Sequence, residues 1–79
     1  MALEAIINQK DAYRIVLEEY PEGVYVLVYD SPEAAVDGPC QDHLQDNWDI
    51  AKRQAREDFG VADDQWKEIP DTFFNGKWR

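Results

Sequence analysis

The sequence predicts an α+β domain in which an antiparallel β-hairpin, or a three-stranded meander, packs against one amphipathic helix. Three observations carry that expectation. Two runs rich in β-branched and aromatic residues, 13–20 and 24–30, flank Pro21-Glu22-Gly23, the pattern of strand, tight turn and strand. From residue 42 the apolar spacing lengthens to the helical period, with Leu44, Trp48, Ala51, Ala55 and Phe59 on one stripe. The chain has 79 residues, 44% hydrophobic and 13% aromatic, enough for one core and too few for two. Residues 1–79 are therefore read as a single domain.

The elements follow in chain order. Leu3–Ile7 is expected to form a short strand (about 3–7) beside the hairpin, with Asn8-Gln9-Lys10-Asp11 as the connecting turn. In the hairpin, strands of about 13–20 and 24–30, proline sets φ for the first corner and Gly23 is expected to supply the left-handed residue of a three-residue loop. That loop pairs Tyr20 with Val24, Leu17 with Leu27, Ile15 with Tyr29 and Arg14 with Asp30. One face then carries Tyr13, Ile15, Leu17, Tyr25, Leu27 and Tyr29, and the other Val16, Tyr20, Val24, Val26 and Val28. The second strand does not alternate apolar with polar, so both faces call for cover.

Residues 31–41, punctuated by Pro32, Gly38 and Pro39, read as a loop. The helix is expected over about 42–59, with Asp42 as N-cap and Gln45 completing a capping-box pair. Gly60 fits the left-handed residue after its end, with Val61 making the accompanying apolar contact. Small Ala51 and Ala55 in mid-stripe let the helix approach the sheet, expected at the Ile15/Leu17/Leu27/Tyr29 face. Asp63-Asp64-Gln65-Trp66 reads as one capped turn ended by Pro70. The rest, with Phe73, Phe74, Asn75-Gly76 and Trp78, reads as an irregular aromatic C-terminal tail expected to dock on the body.

Charge and cysteine usage narrow the functional classes. Seventeen acidic and eight basic residues give a net charge of −9, a field that repels phosphate backbones and disfavours direct nucleic-acid binding. The single cysteine, Cys40, has no internal partner, which points to a reducing, cytoplasmic setting. The N-terminal apolar run lacks a basic flank and is too short for a signal peptide, and no segment approaches the length of a membrane span.

Candidate chemistry is sparse. Cys40 and His43, the one histidine, stand three residues apart near the expected helix start, where a thiolate would be favoured. No orienting third group accompanies them, and a loop cysteine beside a solvated histidine is the simpler reading. Asp42, Asp46 and Asp49 would share an outer helical face, but they supply only part of the oxygens that calcium requires. Acidic residues in the first turns also complement the helix dipole. The four glycines are dispersed, so no phosphate-cradling loop is present. No catalytic residue, metal or cofactor is therefore expected.

Ala51-x-x-x-Ala55-x-x-x-Phe59-Gly60-Val61, followed by Trp66, resembles the A-x-x-x-A-x-x-x-F-G-[VI]…W signature of small bacterial hairpin–helix proteins of uncharacterised function. The likeness spans about residues 13–66 and implies a fold with no activity attached. The strands-then-helix order also resembles the HicB antitoxin domain, with Asp37-Gly38-Pro39-Cys40 where such domains carry a Leu-Pro-Gly segment. That likeness implies a toxin-like protein partner.

The expectation that results is a small non-enzymatic domain acting through protein contact or self-association, as a regulator or homodimer. The candidate patch is Val16, Tyr20, Val26 and Val28 on the valine face, with Trp66, Phe73 and Trp78 beside it. An alternative is an acidic nucleic-acid mimic or antitoxin-like protein that occupies a basic partner. A remoter one is a small enzyme or metal protein using Cys40, His43 and the three aspartates.

Overall fold

The computed structural model describes residues 2–10, 12–30 and 39–70. Five antiparallel strands form one sheet: β1 Ala2–Ile6, β2 Arg14–Tyr20, β3 Gly23–Tyr29, β4 Gln41–Gln45 and β5 Lys67–Ile69. A single α-helix among the described residues, α1 Trp48–Phe59, is followed by a 3₁₀ turn at Asp63–Gln65. The sheet order is β4-β3-β2-β1-β5, a four-stranded meander to which the last strand adds beside the first. The fold is the expected α+β class, an antiparallel meander under one helix, with two strands more than the sequence signalled.

The hairpin turns one residue earlier than expected. Arg14 pairs with Tyr29, Leu17 with Val26 and Tyr20 with Gly23, so the loop is Pro21-Glu22 alone and Gly23 is the first residue of β3. Because side chains alternate with period two, a one-residue slip exchanges the faces of one strand relative to the other. Ile15 and Leu17 therefore share a face with Val24, Val26 and Val28, and Val16 lies opposite Leu27 on the other side. The expected division into an Ile15/Leu17/Leu27/Tyr29 face and a valine face does not hold.

Gly23 owes its identity to crowding, not to a turn. Its φ is +149°, outside the range L side chains favour, and a Cβ there would collide with the main-chain carbonyl of Gln45 on β4. Glycine is what lets β4 close onto the hairpin.

The helix also starts later than its apolar stripe suggested. Gln41–Gln45 pairs with Val24–Val28 of β3 as the edge strand, and the N-cap is Asn47, whose Oδ1 accepts from the Ile50 amide at 3.0 Å. Asp42 is a strand residue, so neither its capping role nor the 42–59 boundary stands. Five residues here gain a sheet ladder, which outweighs continuing the helix by a turn. The far end is as expected: Gly60, at φ 72°, donates to Arg56 O at 3.0 Å, and Val61 donates to Ala55 O at 3.3 Å, the paired bonds of a Schellman motif. Gln9 Nε2 reaches across from the β1–β2 connection to the free Phe59 carbonyl at 2.7 Å.

The core lies between α1 and the sheet. Ala51 and Ala55 are fully buried over Ile15, Leu17, Val24, Val26 and Val28, with Val61, Trp48, Phe59 and Trp66 closing its margins. Helix alanines put the backbone close to the valine side chains, and branched residues fill the space at near-crystalline density. The other sheet face has a smaller cluster of Ala2, Val16, Leu27 and Tyr29, flanked by Tyr20, Tyr25 and Ile69.

Candidate functional site

The sheet face turned away from α1 is laid out by register. One row across it is Ile69, Ala2, Glu18, Tyr25 and Leu44; the next is Lys67, Glu4, Val16, Leu27 and Asp42; a third is Ile6, Arg14 and Tyr29. Its middle is buried, and two of its corners are open. Leu44 is 47% exposed and Ile6 48% exposed, the two large apolar side chains most open to solvent among the described residues.

At the hairpin-tip corner, Tyr20 and Tyr25 meet edge to face, ring centroids 5.6 Å apart at 77°, a favoured quadrupole arrangement. Each hydroxyl is held by a carboxylate: Tyr20 Oη donates to Glu18 Oε2 at 2.7 Å, and Tyr25 Oη donates to Glu22 Oε2 at 3.1 Å. Leu44 of β4 lies directly across from Tyr25. Two fixed rings and an exposed leucine thus sit at the end of the sheet, next to the outer edge of β4. Aromatic side chains held rigid offer contact area at little entropic cost, as protein-binding surfaces require.

Away from that corner the face is built of charge and ring. The Arg14 guanidinium lies 4.4 Å above the Tyr29 ring centre and 3.9 Å from Glu4 Oε2, with its Nε enclosed and without a hydrogen-bond partner. Glu18, 1% exposed, accepts the Tyr20 hydroxyl. These groups fix the face internally, since a buried carboxylate must be hydrogen-bonded to be tolerated.

The residues named for a patch from sequence are dispersed. Val26 and Val28 lie in the core beneath α1, Val16 is buried on the opposite face, and Trp66 packs at the margin of the helix-side core. Tyr20 is in the exposed corner; Phe73 and Trp78 lie outside the described residues. Tyr25 and Leu44, which complete the corner, belong to the core in the expected hairpin register and helical stripe; the observed register and strand β4 turn both to this face. The run Gln41-Asp42-His43-Leu44-Gln45 holds one apolar residue, so it carries no alternation to set against the helical stripe.

The other chemical candidates separate likewise. Asp42 is in β4, Asp46 follows it, and Asp49 is in the first turn of α1, so they share no helical face. Among the described residues no three His, Cys, Asp or Glu side chains gather as a metal-ligating group. His43 Nε2 lies 3.0 Å from Gln41 Oε1. The Cys40 thiol is pushed up from the ordinary thiol range, first by partial burial of the sulfur and then by the nearby Asp30 carboxylate, with its own amide opposing; that is the reverse of activation. On the outer side of α1, Lys52, Arg53 and Arg56 line a shallow groove with Asp49 and Asp63. No helix among the described residues is long and apolar enough to cross a membrane.

Comparison with family models, with curated proteins and with solved structures finds no match for this chain.

Proposed function

We propose that this is a non-enzymatic protein-interaction domain, acting as a small regulator or partner subunit in a reducing cytoplasm, with no cofactor. The observation that supports it is the Tyr20–Tyr25–Leu44 corner beside the outer edge of β4. An exposed leucine next to two carboxylate-anchored tyrosines is a surface prepared for an apolar contact, and the adjoining strand edge adds directional main-chain groups. The groove on α1 places three of the eight basic residues on one helix side. The acidic excess is therefore not continuous over the surface, which favours this reading over a nucleic-acid mimic.

The test is site-directed photo-crosslinking in the native cell, with a photoreactive side chain in place of Leu44 and a control in place of Arg56 on the outer side of α1. A discrete adduct from the Leu44 position, absent from the control and lost on Tyr25→Ala, is the expected result. Equal, diffuse labelling from both positions overturns the proposal.

A further inference from the structure

The groove on the outer side of α1 gathers cations in a chain that has few. We propose that it binds a small, hydroxyl-bearing phosphate monoester, with Lys52, Arg53 and Arg56 on the phosphate and Asp49 and Asp63 on the hydroxyls. This goes beyond the protein-contact reading and uses none of the residues of the Tyr20–Tyr25–Leu44 corner.

Two segments build the groove. Asp49, Lys52, Arg53 and Arg56 stand at i, i+3, i+4 and i+7 of α1, which is one helical face. Past the end of α1 the chain turns at Gly60, and Val61 anchors it in the core. The Asp63–Gln65 turn is closed by the Ala62 amide, which donates to Gln65 Oε1 at 2.6 Å. That return brings Asp63 to the same groove, and the space among the five residues is about 420 Å³. Small-molecule sites run from roughly 300 to 1,000 Å³, so there is room for a phosphate and the body of a small ester.

The three cations are not neutralised within the fold. Asp49 stands four residues before Arg53, the favourable order for a helical ion pair. Yet among the described residues no carboxylate lies within 4.0 Å of the Lys52, Arg53 or Arg56 head group. Arg14, on the opposite face of the sheet, has Glu4 at 3.9 Å. Lys52 and Arg56 are four residues apart and Arg53 and Arg56 three, spacings at which like charges destabilise a helix. The helix dipole favours a cation in the last turn only, which accounts for Arg56 and not for Lys52 or Arg53. An anion seated among the three offsets their repulsion.

The lining selects the kind of anion. A phosphate monoester carries close to two charges and three strong acceptor oxygens, which suits two guanidinium forks and an ammonium. A carboxylate, with two oxygens, is filled by one fork. Asp49, in the first turn of α1, and Asp63, beyond its last, can only accept hydrogen bonds when ionised. They therefore favour hydroxyl groups on the ligand and repel a second phosphate. With a net charge of −9 on the chain, that arrangement opposes a continuous phosphate backbone.

Chemical-shift titration of the isotope-labelled full chain at constant ionic strength tests this. Inorganic phosphate, glucose-6-phosphate, glucose and a short oligonucleotide are added separately. Saturable shifts are expected at the Lys52–Arg56 amides and the Arg53 and Arg56 side chains, with the ester binding roughly tenfold more tightly than inorganic phosphate and glucose not at all. Arg53→Gln and Arg56→Gln are each expected to weaken the ester roughly tenfold. Lys67→Gln, on β5 and outside the groove, is expected to leave it unchanged. All three positions are exposed, and circular dichroism confirms that each variant is folded. Shifts that are missing, fail to saturate or persist in both arginine variants overturn the site. An ester no tighter than inorganic phosphate overturns the role given to Asp49 and Asp63, and tighter binding of the oligonucleotide overturns the ligand class. The Leu44 adduct is read at another surface, so the protein-contact reading stands or falls separately.

Discussion

Replacing Gly23 by alanine tests the packing of the sheet more sharply than any change in the core. Gly23 combines a φ of +149° with a main-chain carbonyl, that of Gln45, where a Cβ would stand. The backbone strain costs about 1–3 kcal/mol. Moving a neighbouring strand to relieve the collision costs about as much again, because a carbonyl in a ladder cannot rotate away as a flexible side chain can. A central value of about 4 kcal/mol is a large share of the stability expected of a small domain and lowers Tm by roughly 15–30 °C. Gly60→Ala is the internal control. Its φ of 72° is also unfavourable for alanine, but no residue beyond its own chain neighbours comes within 4 Å of the added carbon, so only the left-handed penalty of about 1–2 kcal/mol remains. Urea denaturation of both variants gives the difference directly. Hydrogen exchange at Leu44 and Gln45 is expected to quicken in Gly23→Ala alone. If Gly23→Ala costs no more than Gly60→Ala, β4 is not held against the hairpin as described, and the argument fails.

Other expectations concern the helix start and the thiol. Asn47→Ala removes the acceptor for the Ile50 amide and is expected to cost about 1 kcal/mol, with Asn47→Asp retaining most of it; equal Tm values for all three proteins would place the cap elsewhere. Alkylation of Cys40 is expected to show a pH midpoint above that of the same thiol in the urea-unfolded chain, and Asp30→Asn is expected to lower it. The folded state holds this proton more tightly, so the stability it contributes is present below the unfolded thiol's pKa and is lost as pH rises through the raised one. A midpoint at or below that of the unfolded chain would contradict the assigned environment.

How legible the structure was depended on how locally each feature is specified. The helix from Trp48 onward, its Gly60-Val61 end and the turn at 63–65 follow from residues within a few positions of one another. The hairpin was legible as two strands, but its register rested on whether Gly23 belonged to the turn or to β3. Both readings satisfy the local chemistry of Pro-Glu-Gly. The choice was made by the approach of Gln45, more than twenty residues away in sequence. Strand β5 is shorter still and exists because β1 offers it an edge; alone, three residues have no strand signal to read.

The candidate site suffered most from that non-locality. Its members, Tyr20, Tyr25 and Leu44, come from three strands, and each was visible only as a hydrophobic residue in a run of others. Leu44 fell on the helical stripe by spacing, yet in β4 it points to the face opposite α1. Burial alone could not distinguish it from Val26 until the faces were known.

By itself the sequence determined the fold class, the place of the helix's apolar stripe and its C-terminal cap, because hydrophobic period and capping chemistry act within one or two turns of chain. Only the tertiary structure decided the hairpin register, the placing of 42–45 in an edge strand and not in the helix, and hence which apolar side chains lie in the core and which reach water. The physical reason is that a strand's pairing energy belongs to its neighbour as much as to itself. For β3 that neighbour includes β4, whose Gln45 carbonyl stands where a side chain at Gly23 would be.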